Sequence, residues 1–300
     1  MKKVLFLTMM SIILGTGVSV AQTENSGTAF EGEITSNLTS LQKMNTQVKT
    51  KNILAKMILK NVMKKVENSG FYTGSYTATT ICKGNKSVVH TPYNNSYMII
   101  EKNGDQMKTT TYYPYIKKGY YTNTSISANQ QQMELMRKGK VEKTGETMEI
   151  LGYKCEVYKV KYEVKQDSAG TVSTTNLQNV FAICQDPSLG DVSQEVVPGV
   201  TGVPLKFINN TASLTNNEML SLDFLMYIAS ITTAIKKRSV ADSELAVPDD
   251  IKLIDADKDS KGMLKITEEN MKYLQKNKLW VEKNPDEIKI YDSLNEDWEY

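Results

Sequence analysis

His90 is the only side chain of this 300-residue chain that ordinarily titrates near neutrality. It is therefore the sole candidate for a general base at physiological pH. No serine or cysteine stands in a nucleophile motif such as GxSxG. Carboxyl pairs alone can hydrolyse glycosides, but the acids are scattered and no spacing singles out a pair. Cys82, Cys155 and Cys184 have no CxxC spacing, which indicates neither a redox motif nor a zinc site. Cys155 and Cys184 fall in predicted strands that are candidate sheet neighbours, so they form either a disulfide or two reduced core thiols. One segment has metal-ligand spacing. Asp257, Asp259 and Glu268 occupy positions 1, 3 and 12 of a calcium-type loop, with Gly262 at position 6 and Leu264 at 8. Lys261 stands where a third ligand is expected, and the preceding residues read as strand, so a charged turn before a helix is the preferred reading. Neither catalytic residues nor a cofactor are predicted.

The elements that must position these groups are mostly strands. From Tyr153 to Tyr162 apolar and polar residues alternate after the Gly152 turn, as in a strand with one wet face. Further strands are expected at Phe30–Leu38, Phe71–Ile81, Tyr97–Lys102, Gln106–Tyr113, Gly119–Asn123, Val141–Ile150, Lys154–Val164 and Asn179–Cys184. Asn103-Gly104-Asp105 and Ala169-Gly170 are the expected hairpin turns. Seven of the sixteen tyrosines lie between Tyr93 and Tyr121, which suits a sheet whether or not they line a cavity. Ser188–Pro204, punctuated by proline and glycine, reads as loop. Leu205–Thr211 and Leu220–Lys236 read as strands, the second because Ile228, Ile231, Thr232 and Thr233 are β-branched.

Between the first two strands the period changes. Ile53, Leu54, Met57, Ile58, Val62, Met63 and Val66 recur at three and four residues among Lys49, Lys51, Lys56, Lys60, Lys64 and Lys65: a basic amphipathic helix over about 49–67. It either lies on an anionic membrane or, the preferred reading, covers a sheet. A second helix is expected over 267–278, followed by an acidic tail.

Lys2 and Lys3, the apolar run Val4–Leu14 and the small residues Ser19 and Ala21 predict a signal peptide over 1–21, cleaved between Ala21 and Gln22. The expected product is soluble, periplasmic or extracellular, with no transmembrane anchor and, lacking a cysteine after the cleavage site, no lipid anchor. Cleavage would remove two lysines and bring the formal charge of +2 to zero. Residues 22–161 carry 20 Lys/Arg against 11 Asp/Glu, and 162–300 carry 14 against 23, so the halves are +9 and −9. With only Arg137 and Arg238 as arginines, no nucleic-acid partner is expected.

Four patches carry a resemblance: FEGEITSN at 30–37, GETMEILGYKCEVYKVKYE at 145–163, GVPLKF at 202–207 and KKRSVADSELAVPDDIKLI at 236–254. In this order they resemble the exported bacterial family of the domain of unknown function 4412, related in fold to the LolA and LolB lipoprotein carriers. The resemblance covers about 30–255, after a polar lead at 22–29. The basic helix is an insertion and 256–300 a charged extension. It implies an α+β, mainly antiparallel β fold: a LolA/LolB-like curled sheet, or incomplete barrel, with helices covering the concave side. It transfers no catalytic residue. The resulting expectation is a non-enzymatic binding or carrier module for a lipid or lipoprotein acyl group, with Tyr97, Ile99, Met107, Tyr112 and Val160 as lining. The alternative is a structural or interaction module, its core filled by its own side chains and its acidic tail recruiting an envelope protein.

Overall fold

The computed structural model describes residues 30–58, 74–104, 106–125, 139–168, 171–192 and 194–279. The expected signal peptide, most of the basic helix, the Ala169-Gly170 turn and the acidic tail from Trp280 lie outside the described residues.

Alternating sequence becomes long strands. β1 (Glu31–Val48) is followed by a helix, α1, described over 53–58. Next come β2 (Gly74–Lys83), β3 (Lys86–Thr91), β4 (Ser96–Asn103), β5 (Gln106–Tyr113) and β6 (Lys118–Ser125). Beyond residue 139 stand β7 (Lys140–Ile150), β8 (Tyr153–Ser168), β9 (Thr171–Cys184), β10 (Gln194–Val197), β11 (Val200–Asn216), β12 (Leu220–Lys237), β13 (Lys252–Asp255) and α2 (Ser260–Lys276). They form one curled, unclosed sheet in the order β13-β6-β5-β4-β3-β2-β1-β12-β11-β9-β8-β7, with β10 paired to β11. Every pairing is antiparallel except β13 on β6.

Local chemistry sets the turns. Leu151 and Gly152, at φ 54° and 78°, join β7 to β8 as a two-residue turn whose twist suits the flanking strands. Gly104, at φ 57°, begins the connection between the paired Asn103 and Gln106. Pro92–Asn94 and Pro114–Ile116 each form one 3-10 turn closed by a left-handed residue, Asn95 or Lys117. On these two turns α2 is seated: Asn270 Nδ2 donates to Asn94 O at 2.9 Å, and Tyr273 stacks on Tyr115 at 5.4 Å.

Three expectations need correction. Ser188–Pro204 is not plain loop: Pro187–Val192 is a 3-10 helix, and Pro198-Gly199 is the turn of the β10–β11 hairpin. Pro204 sits inside β11 next to an irregularity in its pairing with β9, a place where a missing N–H is tolerated. The second helix starts at Ser260 rather than Thr267, because the Asp259 carboxylate accepts the Gly262 N–H at 2.8 Å and caps it. The basic helix does not cover the sheet over the turns described here. Ile53 is 78% exposed and Leu54 67%.

The core is distributed along the sheet. Val196 and Val197 of β10 close over Tyr158, Val160, Phe181 and Ile183. Val240, Leu245, Val247 and Ile251, from the segment after β12, pack on Val88, Ile99 and Tyr112. Arg238 anchors that segment, reaching Glu244 at 2.7 Å and Glu33 at 3.4 Å. Ile266 of α2 packs with Tyr113 and Tyr120. The extension after Asp255 is thus built into the domain as far as α2.

Candidate functional site

The five residues expected to line a cavity do not share one wall. Tyr97 pairs with Tyr112 and Ile99 with Thr110, which puts Tyr97, Ile99 and Tyr112 on one face. Met107 is five residues from Tyr112 in the same regular strand and so faces the other way. Val160 also faces that second way, as the register shows when followed through Asn37, Ile231, Lys206, Ala182 and Val157. Ile99, Tyr112 and Val160 are 5%, 6% and 0% exposed, each beneath other parts of the chain. Tyr97 and Met107 are half-buried. No common pocket unites the set.

His90 stacks on Tyr97 at 4.4 Å, and Tyr97 stacks on Tyr112 at 5.2 Å, a ladder across β3, β4 and β5. It continues to Gly119, where an added Cβ would come within 2.8 Å of Tyr112 Cβ and 2.4 Å of Thr111 O. The His90 Nε2 also lies 3.4 Å from Asn95 Oδ1. Stacking and an amide contact hold the ring as part of a sheet surface. Burial raises the Tyr112 hydroxyl pKa, and Tyr97 adds to the shift.

Cys155 and Cys184 are directly opposed across β8 and β9. Both are buried free thiols, and Cys82 belongs to the same apolar cluster. Burial pushes Cys155 up to about 11, with Cys184 contributing, and Cys82 up to about 12. These are poor nucleophiles at neutral pH.

The calcium-type spacing is taken apart by the helix. Asp259 caps α2, Asp257 accepts the Asn123 N–H at 2.9 Å, and Glu268 pairs with Lys272 one turn along at 2.8 Å. Among the described residues no group of three or more His, Cys, Asp or Glu is placed to hold a metal ion.

An open groove of about 500 Å³ lies elsewhere, lined by Leu151, Tyr153, Ser188, Leu189, Thr233, Ala234, Ile235 and Lys237. Three local devices build it. The β7–β8 turn presents Leu151, and the 3-10 helix supplies Ser188 and Leu189. Its start is held by the Ser188 N–H donating to Asp186 Oδ1 at 2.8 Å, and the Asp186 pKa is lowered by hydrogen bonding first to the Ser188 side chain and then to its backbone. The third device is a bulge: Thr35 pairs with Ala234 but Ser36 with Thr232, so Thr233 is extra and re-aims the residues that follow. Lys237 is the only charge among the eight lining residues. None of the eight is among the residues that the sequence suggests as lining. Leu151-Gly152 was legible as a turn, but a bulge in β12 has no periodic signal. No family model matches this chain, and no curated protein is significantly similar to it.

Proposed function

We propose that this chain is a non-enzymatic, exported binding module that takes a lipid or the acyl group of a lipoprotein, as its resemblance to the lipoprotein-carrier fold implies. The observation that carries this reading is the groove at the β12 bulge. Its volume lies within the ~300–1,000 Å³ usual for small-ligand sites. Its wall mixes the apolar Leu151, Leu189 and Ile235 with the polar Ser188 and Thr233, and Lys237 is its one charge. Acyl burial supplies non-directional affinity of ~0.8 kcal/mol per methylene, and Lys237 orients the head. The ladder of His90, Tyr97 and Tyr112 and the Val160 cluster support the fold in this reading and do not touch ligand.

The test is native mass spectrometry of protein purified without detergent, followed by solvent extraction, for the wild type and Ala234→Trp. Ala234 is exposed on the groove wall, so the larger ring fills the site at little cost to the fold. A lipid adduct on the wild type that is lost in the variant is the expected result. A bare wild-type mass, or an adduct that Ala234→Trp leaves in place, would reject the groove.

A second reading is favoured by a specific observation: Ile99, Tyr112 and Val160 are packed by the chain's own β10 and its 240–251 segment. On that reading the protein is an interaction module whose acidic tail recruits an envelope partner. Deleting Pro285–Tyr300 separates the two, since a carrier retains lipid uptake and an interaction module loses its partner.

A further inference from the structure

Among the described residues, exposed large apolar side chains gather at the sheet end formed by the tips of β1, β8, β9, β11 and β12. α1 contributes Ile53, Leu54, Met57 and Ile58, exposed by 78%, 67%, 58% and 55%. At 100° per residue these four fall within one arc of the helix. Leu214 and Met219, at 50% and 47%, belong to the same end. The helix is fastened there. The Lys49 and Thr50 N–H groups donate to Met219 O at 2.8 and 3.2 Å, the Lys49 ammonium reaches Asn216, and Asn52 Oδ1 caps the helix through the Ala55 N–H at 3.0 Å. Lys49 and Lys51 precede the helix and Lys56 lies on it, all three exposed; Glu218 in the β11–β12 turn, Asp223 of β12 and Asp167 near the tip of β8 are acids of the same sheet end.

We propose that this end of the sheet docks on an anionic lipid bilayer. An exposed apolar arc on a helix flanked by lysines matches an interfacial segment: the apolar side chains enter the acyl boundary while lysine stems reach headgroup phosphates. Charge selects the occupant. A second copy of this face would bring lysines against lysines, whereas anionic headgroups neutralise them. The docking goes beyond the groove and does not depend on it, since the two sites share no residue.

The experiment is cosedimentation of the full chain with vesicles of phosphatidylglycerol and phosphatidylcholine, against phosphatidylcholine alone. Two variants accompany it: Leu54→Ser/Met57→Ser and Lys49→Gln/Lys51→Gln/Lys56→Gln. The substituted side chains are exposed, so unchanged melting serves as the folding control. The wild type is expected to bind the anionic vesicles and to release as salt rises from ~0.05 to ~0.5 M. Each lysine near an anionic surface is worth about fivefold, so the triple variant loses on the order of a hundredfold. The serine pair loses on the order of tenfold or more. Equal binding by the wild type and both variants, or no anionic preference, would overturn the proposal. So would a wild-type dimer that Leu54→Ser/Met57→Ser converts to monomer without changing vesicle binding.

Discussion

Oxidation of the facing pair Cys155 and Cys184 should stabilise the fold by an amount that follows from their separation. Opposed residues in antiparallel strands have Cα atoms ~4.5 or ~5.5 Å apart, both within the ~4.4–6.8 Å that a disulfide spans. The cross-link would close a loop of 29 residues, 184 minus 155. The chain-entropy relation then removes about 12 cal/mol/K from the unfolded ensemble, or about 3.6 kcal/mol at 25 °C. At ~2–4 °C per kcal/mol for a domain of this size, Tm should rise by roughly 7–14 °C. Burial works against the reaction in the folded state. With Cys155 near pKa 11, its thiolate is only about one part in ten thousand at pH 7, so the bond forms during folding or not at all at a practical rate. The assay compares protein refolded with and without an oxidised glutathione buffer. Peptide mapping locates the bond, and melting measures its effect. Cys82→Ser should leave the gain intact, and Cys155→Ser should abolish it. An oxidised protein with a proven Cys155–Cys184 bond that melts no higher than the reduced form would refute the reasoning, as would a bond formed through Cys82.

Tyr112→Ala should cost about 3–5 kcal/mol by denaturant unfolding, the range for removing a large buried ring, because Tyr112 lies under Val240 and Leu245. A loss of ligand without loss of stability would return it to the binding surface. Glu244 is held at about 2 by its hydrogen bond to Arg238, with the Ala241 N–H adding. A depressed carboxyl contributes stability above its unfolded value near 4.5, and that contribution disappears as pH falls through about 2. Acid unfolding of Glu244→Gln should therefore lack this part of the wild-type pH dependence, and superimposable acid curves would show that the pair is energetically silent. A tenfold calcium excess should leave Tm unchanged, since α2 takes apart the Asp257–Glu268 loop; a rise with calcium would require a site there.

The strand-rich character of the chain was legible because alternation and turn chemistry are local. The run from Tyr153 to Tyr162, the Asn103-Gly104 turn and the β-branched stretch at 228–233 all gave the right element type. Faces across the sheet were less legible. Tyr112 and Met107 both read as lining from the sequence, yet five residues of separation in a regular strand place them on opposite faces. Prolines misled for a related reason. Pro198-Gly199 and Pro204 read as loop punctuation, and only pairing partners show that one is a hairpin turn and the other sits beside a bulge. The amphipathic pattern expected over 49–67 is helical at 53–58, its other described residues, 49–52, preceding the helix, and periodicity says which side chains share an arc and not what that arc meets.

From sequence alone came the strand type of most elements, the first turn of the basic helix and the candidacy of Cys155 and Cys184 as neighbours, since each depends on residues close along the chain or on an alternating pattern. Tertiary structure decided that these two cysteines are directly opposed, that β10 and the 240–251 segment fill the space over Val160 and Tyr112, and that a groove opens at the Thr233 bulge. The physical reason is one of range. Backbone preference and side-chain period act over a few residues, whereas register across β1 and β12 and the single extra residue in their ladder depend on partners about two hundred residues apart.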